Sequence, residues 1–303
     1  LRVTGRARPL IYSLSLAVYC TSWTFFGSVG LAADTGYDFI PVYLGPILVF
    51  VLGMPLLTRI VRLAKSQNLT SVSDFLAARY GKSPAVAAIV TVVAVVGTLP
   101  YIALQLKAIV ISTETLLGGS PLQPAGLHPG AVDTALITTL ALAIFTILFG
   151  TRHIDATEHQ SGLMLAVAAE SVMKLAAFIG VGVFVLYSVF GGPTNLLETA
   201  RANSAALAPF DRTFNGGTWL TVHVTVVENH SEGELRRASW LFPSYLVAIN
   251  IFVVPIAAAG LIILPRGLVE TDMFVLALPM AKGSETFAVF AFLGGLSAAT
   301  AMV

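Results

Sequence analysis

The 303-residue chain is 56% apolar and 11% charged, against about 25% charged in an average soluble domain. A single soluble core of this size cannot hide so much apolar surface, and a net charge of +1 gives no electrostatic footprint for a nucleic-acid partner. The one cysteine, Cys20, excludes an internal disulfide and a cysteine metal cluster.

Apolar stretches of membrane-spanning length recur along the chain: Leu10–Ala32, Phe39–Ile60, Pro84–Leu116, Ala131–Gly150, Ser161–Phe190, Ser239–Leu264 and Glu285–Val303. About 20 apolar residues cross the hydrocarbon layer as a helix. A barrel would instead need short alternating strands. The expected fold is therefore all-α, a polytopic membrane helix bundle. The stretch behind the basic Leu1–Pro9 is too long for a signal-peptide core. The chain starts with Leu and stops inside an apolar run, which reads as a fragment of a larger membrane protein.

Arg2, Arg6 and Arg8 precede the first stretch, so the positive-inside rule places that end in the cytoplasm. The second stretch then returns to Arg59, Arg62, Lys65, Arg79 and Lys82, and the loop Gly118–Gly130, free of Lys and Arg, lies outside. Ser71 and Asp74 have capping-box spacing and Gly81 suits a helix stop, which predicts a short surface helix over Asp74–Tyr80. Phe214–Val227 is too short for a comfortable crossing, and charge counting does not decide its course. Asn195–Asn215 reads as a polar external loop.

The residues that could carry chemistry lie within the spans. Tyr19–Gly30 mixes hydroxyls, aromatics and two glycines at mid-membrane depth. An unwound helix there would free carbonyls able to hold a cation; close helix packing is the plainer account. Pro100 can kink the third span, where Tyr101 and Gln105 share a face. Lys107 sits deep in the same span and points either to the interior or, by snorkelling, to the interface. Glu170 and Lys174 have the spacing of a helix pair that neutralises itself. Ser297 and Thr300 lie on one face of the last stretch, as packing residues or as oxygen ligands for a small hard cation. The five histidines show no metal spacing, and no phosphate-binding loop is present. Nothing indicates an enzyme.

Through Leu14–Gly30, Thr70–Gly81, Leu99–Lys107, Val226–Asn229, Leu241–Tyr245 and Phe292–Thr300 the sequence resembles the solute:sodium symporter family. The closest likeness is to the subgroup fused to sensor histidine kinases, of the CbrA type. The resemblance implies a five-plus-five inverted-repeat (LeuT-like) transporter fold, incomplete at both ends. Repeat one would cover about 10–190 and a partial repeat two about 214–303. It implies a cation site using the carbonyls of Ala17 and Cys20, with Ser297 and Thr300 the nearest side-chain oxygens. The family's hydroxyl pair itself falls near Ala298 and Ala299, so Na+, H+ or no coupling ion stays open. It implies solute contacts from Trp23, Tyr101 and Gln105.

The function expected from the resemblance is a symporter-type module in the inner (plasma) membrane. It would bind or carry a small solute, such as the amino acid histidine, as the sensory input of a two-component kinase that acts on a response regulator. A free-standing secondary transporter and a ligand-free membrane anchor are the alternatives.

Overall fold

The computed structural model describes residues 8–67, 69, 71–118, 131–150, 161–211, 232–264, 267 and 269–300. Among these, the regular structure is helical. Arg8–Leu16 (α1) passes through one tight turn, Ala17–Tyr19, then a break at Cys20–Ser22, and resumes as the wide turn Trp23–Gly27 and the helix Ser28–Thr35 (α2). The two halves meet at 70°. The run of small, hydroxyl and aromatic residues thus breaks at Cys20–Ser22 and is helical beyond it.

Ile40–Val51 (α3) and Met54–Ser66 (α4) also meet at a sharp bend, of 71°. The sequence pattern placed one continuous span at Phe39–Ile60. The stretch bends where Gly53 and Pro55 fall at the turn, and Leu57 and Val61 bury one face of α4 while Arg59, Arg62 and Lys65 lie on its exposed side. An amphipathic helix of that kind suits a membrane surface. The surface helix α5, Val72–Arg79, begins as the capping box predicts: the Ser71 hydroxyl accepts from the Asp74 N–H at 3.0 Å. It ends at Gly81, whose φ of +68° favours glycine.

The helix Pro84–Leu117 (α6) runs through Pro100 without a break. Its first half exposes Ile89, Val92, Val93, Val95, Val96 and Leu99, a surface suited to lipid. Its second half buries Gln105, Ile109 and Ser112. Ala131–Phe145 (α7) and Ser161–Val183 (α8) follow.

The segment read as an external loop holds the helices Pro193–Ala202 (α9) and Ser204–Leu207 (α10). Pro193 opens α9, and Leu196 and Ala200, four apart, bury one side of it, an amphipathic face that the polar composition hid. Phe210 then packs edge-on against Tyr37, 5.6 Å between ring centres. The last elements are Glu232–Asn250 (α11), Val253–Ile263 (α12), Phe274–Ala281 (α13) and Glu285–Thr300 (α14). Helix α13 had no counterpart among the predicted spans because it is short, yet Val275, Leu276, Ala277 and Leu278 are fully buried.

Among the described residues, three helices are long and apolar enough to cross a membrane, Pro84–Leu117, Met164–Val189 and Arg237–Ile263; each bent pair counted as one span raises this to five. Thr134–Leu148 and Glu285–Thr300 are apolar but shorter. The loop at 119–130, the histidines and the candidate crossing Phe214–Val227 lie outside the described residues.

The broken first span sits at the centre. Helix α1 packs on α8 and α11, α2 on α12, and α14 on α8 and α6. Phe25, Phe26 and Phe178 are almost wholly buried between them. Close approach depends on Gly294 and Gly295: a Cβ on the first would collide with Ala177 and the Phe25 ring, and one on the second with the Phe26 ring.

Candidate functional site

A helix that breaks inside a bilayer leaves N–H and C=O groups with no water to satisfy them. Side chains from two other helices serve the break at Cys20–Ser22. From α6, Gln105 reaches the N-terminal edge of the second half. Its Oε1 accepts from the Ser22 backbone N–H at 3.0 Å and from the Ser22 hydroxyl at 2.6 Å. Its Nε2 donates to the Tyr101 carbonyl at 3.3 Å. Gln105 is 0% exposed, so both ends of its amide are turned to protein partners. Gln105, to which the resemblance assigned a solute contact, here caps the broken helix.

From α8, Lys174 reaches the other edge. Its Nζ donates to the carbonyls of Ala17 and Cys20, at 2.7 Å each. Lys174, Ala17 and Cys20 are all 0% exposed. The spacing with Glu170 had suggested an internal neutral pair. The Lys174 ammonium directs these hydrogen bonds to the two carbonyls and stays within electrostatic reach of Glu170, whose Oε2 is buried without a hydrogen-bond partner. The reason is distance in space rather than in sequence: a stem of four methylenes reaches the break, where two carbonyls converge on one ammonium.

Ser297 and Thr300 meet a different part of α8. The Ser297 hydroxyl donates to the Glu170 carbonyl at 3.1 Å. The Thr300 hydroxyl donates to the Leu296 carbonyl at 3.0 Å and lies 3.5 Å from Glu170 Oε1. A sodium ion between the Ala17 and Cys20 carbonyls would have to take the place of the Lys174 ammonium. Those residues, with Lys174 among them, do not fit sodium at that position.

Tyr101 and Trp23 remain at the margin of the break, and both are only partly buried. The Tyr101 and Thr21 hydroxyls lie 3.1 Å apart. Trp23 lies over Gly27, where a Cβ would strike the indole, and its ring is 6.4 Å from that of Tyr43. On the second half of the span, Asp272 packs so closely on Gly30 that a Cβ there would collide with its carboxylate and backbone. Asp272 is also within electrostatic reach of Lys107, which lies on the exposed side of α6. No group of His, Cys, Asp and Glu suited to a metal ion occurs among the described residues.

Sequence reasoning missed Lys174 as the partner of the break. The signal was there in a lysine at mid-span, where an ionisable group is costly and faces the bundle interior. Its neighbour Glu170 offered a local explanation that concealed it.

No protein-family model matches the chain, and no solved structure matches it. Over 200 residues it is 24% identical to the uncharacterised symporter YhjB of Bacillus subtilis (strain 168). The matched stretch is 65% of this chain and 37% of that protein's length. The apolar helices and this similarity together mark the chain as a symporter-like integral membrane protein.

Proposed function

We propose that this chain is part of a transporter-like module of the solute:cation symporter type, built as an inverted-repeat bundle. It binds or carries a small solute, an amino acid such as histidine, beside the break in its first span. In the longer protein it serves as the sensory input of a cytoplasmic histidine kinase. The observation that supports this reading is a broken helix held inside the bundle, with the partly buried Tyr101 and Trp23 at its margin. A break of this kind places polar backbone at membrane depth next to a protein-lined interior. Binding can drive the kinase only if the solute prefers one of two arrangements of the bundle. A free-standing secondary transporter is the second reading, favoured by the name of the bacillus relative.

Equilibrium binding of radiolabelled histidine and other amino acids to the full-length protein in detergent tests the site. Trp23→Ala and Tyr101→Ala are each expected to weaken binding about tenfold or more, the loss of roughly 1.4 kcal/mol of contact. Unchanged affinity in both variants removes the pocket assignment. No binding in the unaltered protein leaves the ligand-free anchor as the better description.

A further inference from the structure

We infer that Lys174 is a tethered cation that replaces the mobile coupling ion of this bundle, so that the closed, solute-competent arrangement of the first span forms without sodium. The inference rests on the transporter-like reading above, but its evidence is geometric and separate. Two carbonyls at a helix break, that of Cys20 and that of Ala17, which also accepts the Cys20 N–H at 3.0 Å, converge on a single positive charge at 2.7 Å each. That is the environment a broken transmembrane helix offers a bound cation. Here the charge is an ammonium carried on α8, 157 and 154 residues along the chain from its two acceptors.

Burying an ammonium in a membrane protein is expensive, and charge-assisted hydrogen bonds are the strong ones that offset it. Ser297 and Thr300, the nearest side-chain oxygens, turn their protons to the Glu170 and Leu296 carbonyls. A second cation at this position would have to displace the ammonium from its two carbonyls or face like-charge repulsion.

The consequence is a difference in what the module reads. A mobile ion occupies its site according to its concentration outside the cell. A lysine is always present at unit occupancy, so the first span is pinned to α8 whatever the sodium concentration. The solute alone then shifts the population of the bundle's two arrangements, since only a ligand with different affinity for the two can do so.

Thermal stability of the full-length protein in detergent tests this without any solute. It is measured in sodium, potassium and choline chloride at one ionic strength, for the unaltered protein, Lys174→Arg and Lys174→Ala. The expected results are equal melting temperatures for the unaltered protein in all three salts and a lower value for Lys174→Ala. That variant should also gain a saturable rise with n-propylammonium, which restores the missing part of the side chain, as a ligand that binds only the folded state must give. Lys174→Arg keeps the positive charge and should fall between the two.

A saturable sodium-specific rise in the unaltered protein overturns the inference, and this arm holds even if Lys174→Ala fails to fold. So does a Lys174→Ala variant as stable as the unaltered protein. Failure of histidine binding with salt-independent melting would sink the proposed function and leave the tethered cation standing. Sodium-dependent melting with intact solute binding would do the reverse.

Discussion

Two pairs of helices in this molecule bend by nearly the same angle, 70° in the first span and 71° between α3 and α4, and they are held in opposite ways. The first bend is interior. Its residues Ala17, Cys20 and Phe25 are 0% exposed, and its open backbone groups are met by Gln105 and Lys174 from other helices. The second bend is peripheral. Leu52 is 71% exposed, and the chain satisfies itself locally: Gly53 N–H donates to the Val49 carbonyl at 2.9 Å and Leu57 N–H to the Gly53 carbonyl at 3.0 Å. What that bend needs is a missing side chain, because a Cβ on Gly53 would collide with the Val49 carbonyl. The cost of irregular backbone thus depends on where it lies. Inside the bundle each open group needs a partner brought from a distance; at the edge, a glycine and the next turn of helix suffice.

Substitutions that remove one support at a time should break this comparison if it is wrong. The largest effect is expected from Gln105→Leu, which strands two donors of Ser22 in a dry interior. At about 1–3 kcal/mol for each unsatisfied group, the loss is roughly 2–6 kcal/mol. It should appear as a large fall in the apparent melting temperature of the purified membrane protein. Gln105→Glu retains the acceptor and should lose less. If Gln105→Leu is neutral, the interior break does not depend on its distant partners.

Gly53→Ala is expected to cost less, roughly 1–3 kcal/mol as for other overpacking changes, and to leave solute binding unaltered. A loss as large as that of Gln105→Leu would erase the distinction between the two bends. The smallest effect is assigned to Ser71→Ala at the start of α5, where one exposed cap is lost at about 1 kcal/mol. Hydrogen exchange confined to Val72–Arg79 would detect it, whereas exchange spreading into α6 would show that the surface helix is coupled to the spans.

Much of this arrangement was legible in the residues. The hydroxyls and glycines of Cys20–Gly30 allowed unwinding but favoured close packing, and both occur: the helix breaks at Cys20–Ser22 while Gly27 and Gly30 pack against Trp23 and Asp272. The capping pair Ser71 and Asp74 placed the surface helix, predicted over Asp74–Tyr80, within two residues of its observed start at Val72. Local rules worked in both places because the interaction is local. They failed where a long-range contact won. Glu170 and Lys174 satisfy the helix-pair spacing, yet Lys174 bonds across 157 residues of sequence to Ala17. Gln105 shares a face with Tyr101, as its spacing predicts, but only the fold shows that its amide oxygen serves Ser22. The bend at Gly53 and the buried helix α13 were missed for the same kind of reason. Continuous apolar composition says that a segment avoids water, without saying whether lipid or protein covers it.

The thiol of Cys20 gives the break a reporter of its own. It is the one cysteine in these 303 residues, it is wholly enclosed, and its carbonyl is one of the two that grip Lys174. A small water-soluble alkylating reagent reaches that sulfur only when the packing around the break opens, so its labelling rate at this position clocks how often the enclosure gives way.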